Sequence, residues 1–297
     1  MPTLTQPQIG VGLRHPHYEA ALAAPHGVDF VEFHAENLFA QSDLQQQFIQ
    51  DVAARWDVSI HGTAFGLGSV SPPTTQALQA LTELVNATQP ILVSEHVCFN
   101  RAMLHGKLYH GGDLYPIPYN NTSLDVLCQH IDIVQHQLQR PILLENLSAY
   151  LDDIEHEYTE SEFLTSMVQR TGCGLLLDLN NILINEYNQN SVSPLNNAMT
   201  FIRNLPNNAI QEIHLAGFTP NKVNGKYVDD HAQPVYDECW QLYAQTLAYT
   251  GVLPTLIEWD NHLPDWSVLQ AQAEQARKIA LAHRQTPDTL ASTDESY

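Results

Sequence analysis

Histidine and carboxylate recur along this chain at the ends of short apolar runs. Phe33-His34-Ala35-Glu36-Asn37, Ser59-Ile60-His61-Gly62, Ser94-Glu95-His96, Leu144-Glu145-Asn146, Asp178-Leu179-Asn180-Asn181, Glu212-Ile213-His214 and Glu258-Trp259-Asp260 each close such a run, and Asp229-Asp230-His231 follows the seventh strand. A single histidine there is more often a hydrogen-bonded core or rim residue than a ligand, and a single glutamate more often a salt-bridge partner. The coincidence changes the reading. Gathered in one crevice, unpaired carboxylates cost on the order of several kcal/mol per ion, and the chain holds 12 Lys and Arg against 33 Asp and Glu. Metal is the natural countercharge. A His and carboxylate donor set, with cysteine absent from most strand ends, suits iron, manganese or zinc better than copper(I) or an iron–sulfur cluster.

The elements that must carry these residues alternate from end to end. Apolar, β-rich runs lie at Ile9–Leu13, Val28–Phe33, Val58–His61, Ile91–His96, Ile142–Glu145, Gly174–Leu179, Ala209–Leu215 and Pro254–Trp259. Helical spacing appears in His17–Ala23, Ser42–Trp56, Thr74–Ala87, Ser123–Leu138, Thr159–Gln169, Asn196–Arg203, Tyr236–Tyr249 and Asp265–His283. Thr159 and Glu162 have the spacing of a capping box. Eight such units predict a parallel α/β sheet closed as a (β/α)8 barrel, with chemistry at the C-terminal strand ends. An open doubly wound sheet is the alternative, but no G-x-G-x-x-G or phosphate-loop sequence follows a strand. One domain over residues 1–284 is expected, followed by a disordered acidic tail, 285–297.

Composition removes other classes. The formal charge of −21 is wrong for nucleic-acid binding. No apolar run approaches the roughly 18 residues of a membrane span. The start, Met1-Pro2-Thr3-Leu4-Thr5-Gln6-Pro7, lacks the features of a secretory signal, so a cytoplasmic protein is expected. Cys98, Cys128, Cys173 and Cys239 are too scattered for a disulfide scaffold or zinc ribbon. Arg14, His17 and Tyr18 after the first strand either contact substrate or simply set the start of the first helix with Pro16.

An opening motif and seven that follow it in order carry a resemblance. Gly10-Val11-Gly12-Leu13-Arg14 with Pro16-His17-Tyr18 opens the series. Val31-Glu32-Phe33-His34-Ala35-Glu36-Asn37, Ile60-His61-Gly62, Leu92-Val93-Ser94-Glu95-His96, Leu143-Leu144-Glu145-Asn146, the Gly172–Asn181 segment, Glu212-Ile213-His214-Leu215-Ala216-Gly217 and Leu256-Ile257-Glu258-Trp259-Asp260 follow. From about residue 9 to 280 the chain resembles the DUF692 family, the multinuclear non-heme iron-dependent oxidases (MNIO), which include the methanobactin oxidase subunit and the oxidase of 3-thiaglutamate biosynthesis. Ala35 stands where Pro is commoner, and Asp230 where Thr is usual.

The resemblance implies a xylose-isomerase-like TIM barrel holding two to three Fe ions, mixed Fe(II) and Fe(III), with O2 as co-substrate. It places one iron on His61, His96 and Glu145, and a second on Glu145, Asp178, His214 and Glu258. A third, more labile, takes Asp229 and His231 with Asn180 nearby; strand parity with Asp178 favours Asn180 over Asn181. Arg14, His17, His34, Glu36, Asn146 and Glu212 then lie behind the ligands or face substrate, and Asp260 is the candidate general base. The implied substrate is a cysteine-containing, ribosomally synthesised precursor peptide in RiPP biosynthesis, brought by a leader-recognising partner protein. Two rivals remain: a divalent-metal hydrolase or isomerase on the same barrel, and a non-catalytic scaffold subunit.

Overall fold

Period-two alternation inside each strand decides which side chains reach the barrel axis. Val31 and Phe33, Ile60, Val93, Leu144, Leu175 and Leu177, Ile213 and Ile257 are buried apolar residues. Their neighbours of opposite parity are the polar set Glu32, Ser59, His61, Ser94, His96, Glu145, Asp178, Glu212, His214 and Glu258, also buried. One face of each strand therefore packs against the helices, while the other carries the chemistry inward.

The computed structural model describes residues 6–39, 42–150, 154–223 and 225–284; the expected acidic tail, 285–297, lies outside them. The barrel strands are β1 (Ile9–Gly12), β2 (Phe30–His34), β3 (Asp57–His61), β4 (Leu92–His96), β7 (Leu143–Glu145), β8 (Gly174–Asp178), β9 (Ile210–Leu215) and β10 (Thr255–Ile257), with β5 (Cys98–Leu104) and β6 (Lys107–Pro116) outside it. The eight close in the order β1-β10-β9-β8-β7-β4-β3-β2, all pairs parallel. The helices are α1 (Tyr18–Ala23), α2 (Asp43–Ala53), α3 (Thr75–Thr88), α4 (Asn121–Leu138), α5 (Glu160–Thr171), α6 (Leu179–Asn188), α7 (Pro194–Arg203), α8 (Asp237–Thr250) and α9 (Trp266–Arg284). The capping box forms as its sequence predicts: Thr159 caps α5 and Glu162 returns the bond. Gly10 has a packing reason, because a Cβ there would lie 2.4 Å from the Phe30 ring.

Two elements depart from the sequence reading. Residues 98–116, where the sequence reading places no element, form an antiparallel hairpin of β5 and β6 turning at His105-Gly106. Both turn residues have positive φ, 50° and 76°, as a tight hairpin turn requires. Strand β8 stops at Asp178, and residues 179–188 form α6. Strand parity therefore does not govern Asn180, which sits in the first turn of a helix.

Candidate metal centre

His61 and His96 come from adjacent strands and face each other. The His96 Nδ1–H donates to the Gly62 carbonyl at 3.0 Å, and His61 Nδ1 pairs with the Ser94 hydroxyl at 2.7 Å. These bonds leave both Nε2 atoms turned inward, 3.3 Å apart. Each also lies close to Glu145 Oε2, at 3.2 and 3.3 Å. Burial lowers both imidazoles, His96 to about 4 and His61 well below its ordinary value, with further lowering of His61 by His96 and His214. They are neutral, which is the state that ligates a metal.

Asp178 divides its carboxylate between two tasks. Oδ1 accepts the Asn181 backbone N–H at 2.6 Å, capping α6. Oδ2 is buried without a hydrogen-bond partner. Asn146 holds the backbone of Asp178 from both sides, donating to its carbonyl and accepting its N–H at 3.1 Å each. His214 Nδ1 meets Glu258 Oε2 at 3.0 Å. Burial pushes the Asp178 carboxyl up to about 7 and Glu145 well above the usual range. For Glu258 burial acts the same way, but His231 and His214 outweigh it and hold the carboxyl well below its ordinary value.

Ligand atoms of His61, His96 and Glu145 come within 4.8 Å of one another, as do those of Glu145, Asp178, His214 and Glu258, so Glu145 is common to both groups. Two further groups meet the same distance, Glu32 with Glu212 and His214, and His34 with Glu258 and Asp260. The donors fit metal: buried oxygens of Glu145 and Asp178 lack partners, and that of Glu145 faces the neutral imidazoles of His61 and His96. A buried polar atom left so is costly unless something binds it.

The remaining expected residues fall into distinct places. His231 Nε2 forms an ion pair with Asp229 Oδ1 at 2.6 Å and Asn180 Nδ2 donates to the same oxygen at 2.7 Å, while His231 Nε2 and Asn180 Oδ1 have no hydrogen-bond partner. Arg14 donates through Nε to Asp260 Oδ1 at 2.8 Å and contacts His34 Nε2 at 2.7 Å. Asp260 does not fit the expected role of general base. Burial would raise its carboxyl, but Arg14 holds it at about 2, leaving a weak proton acceptor committed to an ion pair. His17 bonds the Pro264 carbonyl at 2.9 Å and braces the β10–α9 connection away from the ligands. Glu36 accepts the N–H groups of Thr63 and Ala64 at 3.1 and 2.8 Å, holding the loop after β3.

Glu32, Ser94 and Leu114 belong to the site although the motifs do not single them out. Period two would have found the first two, since Glu32 shares a face with His34, and Ser94 with His96. Leu114 comes from the unexpected hairpin. With it, a cleft of about 150 Å3 over the ligands is lined by His34, His61, His96, Asp229 and Glu258. A groove of about 700 Å3 beside it shares His34 and is walled by Leu13, Arg14, Phe33 and Phe48.

The model of the family described as "RiPP precursor modification enzyme MbnB/TglH/ChrH" matches residues 8–281. The chain belongs to that family. A UPF0276 protein of Chromobacterium violaceum is 42% identical over 91% of this chain and 94% of its own length. One from Caulobacter vibrioides is 37% identical over 94% and 97%. Among solved structures, a xylose isomerase-like TIM barrel from Mycobacterium smegmatis in complex with magnesium aligns with TM-score 0.61 at 12% identity, covering 95% of this chain and 99% of that one. Endonuclease IV of Thermus thermophilus aligns with TM-score 0.59 at 14% identity, covering 93% and 99%. Those structures share the fold. The family is one of RiPP precursor modification enzymes, so the chain is an enzyme whose substrate class is a ribosomally made peptide. Among the described residues no helix is long and apolar enough to cross a membrane.

Proposed function

We propose that this enzyme is a multinuclear iron-dependent oxidase that uses O2 to modify a cysteine of its precursor peptide. The observation that carries the reading is the shared Glu145, which joins two groups of buried His and carboxylate donors at the barrel mouth. Neutral His61 and His96 with Glu145 would hold one ion. Glu145, Asp178, His214 and Glu258 would hold a second, and Asp229 with His231 and Asn180 a third. Iron bound there would supply the redox chemistry, with positions for a substrate thiolate and for O2.

The protein's own residues position and enclose. Asn146 and the α6 cap fix Asp178; Ser94 and Gly62 fix the two imidazoles. Arg14, paired with Asp260 and His34, forms a wall between the ligands and the larger groove. A cleft of about 150 Å3 admits one side chain and is smaller than the roughly 300 Å3 that free small molecules commonly occupy. This supports a peptide that inserts its cysteine while the flanking chain lies outside. No lysine lines the cleft among the described residues, which weighs against the isomerase reading.

The charge of −21 disfavours polyanions at long range, so the leader is neutral or basic where it meets this chain, and a partner protein holds most of it. The test is O2 consumption with a cysteine-bearing precursor encoded beside the gene, with and without its partner, and with that cysteine replaced by serine. Serine lacks an easily ionised sulfur, so turnover should vanish. Undiminished oxidation of the serine peptide would remove the thiolate anchor and the mechanism with it.

A further inference from the structure

Beside His214, inside the barrel, lie two carboxylates that belong to none of the proposed ion sites. Glu32 on β2 and Glu212 on β9 are both fully buried, at 0% exposure. Glu32 Oε1 and both Glu212 oxygens have no hydrogen-bond partner, and neither does His214 Nε2. That nitrogen lies 3.6 Å from Glu32 Oε2 and 3.8 Å from Glu212 Oε1. The Ser59 hydroxyl donates to Glu32 Oε2 at 3.0 Å, fixing the orientation of that carboxylate. Arg14 bonds only the Glu32 backbone carbonyl, at 3.3 Å, and leaves its carboxylate to others.

We infer that Glu32 and Glu212 are positioning residues for His214: together they receive its Nε2–H and commit Nδ1 to the ion shared with Asp178 and Glu258. This role rests on the proposed metal centre. A neutral imidazole that ligates through Nδ1 must carry its proton on Nε2. Around Nε2 the structure offers two carboxylates, both acceptors. Their separations are a few tenths of an ångström beyond a direct hydrogen bond, a gap that commonly closes when a site is filled.

The arrangement also distinguishes His214 from the other two strand-borne imidazoles. His61 and His96 turn their far nitrogens to a hydroxyl and a backbone carbonyl, both neutral. His214 alone of these three is backed by carboxyl groups. An anionic acceptor raises the basicity of a ligating imidazole and fixes its ring, and losing such a partner typically costs about 10- to 100-fold in metal affinity. The second ion should therefore depend on Glu32 and Glu212, and the ion on His61 and His96 should not.

A double-mutant cycle with Co(II) as the probe tests this. Co(II) affinity is measured by titration in the wild type, in Glu32→Gln/Glu212→Gln, in His214→Ala, and in the triple combination. The paired glutamines should weaken one Co(II) by about 10- to 100-fold and alter its visible absorption, leaving the other ion within about 3-fold. In the His214→Ala background the same pair should cause no further loss, because its effect runs through that ring. Equal loss with and without His214, or no loss in either, would overturn the positioning role. A wild type that takes up no Co(II) would overturn the metal centre itself, a failure visible ahead of any substitution. Glu32→Gln alone, which keeps an oxygen for Ser59, carries the same cycle for a double variant that does not fold.

Discussion

The ligands borne on strands and the pair borne on the loop after β9 meet the same demand from different kinds of backbone. His61, His96, Glu145, Asp178, His214 and Glu258 sit on or immediately after paired strands, and several of their inward atoms have no partner. Asp229 and His231 lie in irregular backbone, with His231 at φ 41°; they form an ion pair, and Asp229 accepts a hydrogen bond from Asn180. Among the described residues neither belongs to a group of three or more His and carboxylate ligands within 4.8 Å. The strand set is preformed and unsatisfied, so an ion relieves a cost already present. The loop pair already holds an ion pair and one hydrogen bond on Asp229, so an ion there competes with existing contacts. The rigidity of paired strands against a loop should make the first set bind tightly and the second exchange readily.

The largest effect should come from the residue that both strand groups share. Glu145→Ala removes a carboxylate facing two proposed ions, so metal content should fall from two or three per chain to below about one. Metal analysis that found full occupancy in this variant would remove the bridge. Next in size is the contrast itself. His231→Ala should lose about one ion and leave the others, whereas His61→Ala or His214→Ala should deplete the strand-borne pair. Equal loss in all three variants would erase the distinction between strand and loop.

A smaller, continuous effect follows from pH. Burial raises Asp178 to about 7, above the roughly 3.9 of a free aspartate, so the metal-free fold retains a proton there that the unfolded chain releases. Stability of the metal-free protein should therefore fall as pH rises from about 4 to about 7 on account of this group, and level off above. An ion must displace the same proton, so affinity of the strand site should climb through that window, then flatten. Titrations at pH 5.5, 6.5 and 8 check the slope; a pH-independent affinity would contradict it. The smallest effect belongs to Glu36, which holds a loop and faces neither ion group. Glu36→Gln should lower stability by about 1 kcal/mol in denaturant unfolding with metal content unchanged.

Much of the fold and of the site is legible in the residues themselves. Strand ends, barrel closure and the His and carboxylate series follow from alternation and from counting charges. The hairpin of β5 and β6 escapes such a reading because its turn, His105-Gly106, is not one of the common Asn-Gly or Asp-Gly pairs, although the flanking Leu104 and Leu108 fit one. Helix α6 escapes because Leu179, one residue past Asp178, reads as the end of the apolar run of β8, so the change from period two to 3.6 leaves no mark until Ile182 and Leu183. Asn180 thus reaches Asp229 from the first turn of a helix, not through the parity of a strand. The pairing of Asp260 with Arg14 joins residues 246 apart in sequence, and no local pattern encodes it.

Iron content is the measurement that bears most directly on the proposed chemistry. Protein purified anaerobically from iron-replete cells should carry about two to three irons per chain, coloured and partly Fe(III), and its O2 consumption on the cysteine peptide should rise and fall with that iron. Stoichiometric zinc, with peptide modification indifferent to iron, would contradict an iron-dependent oxidase.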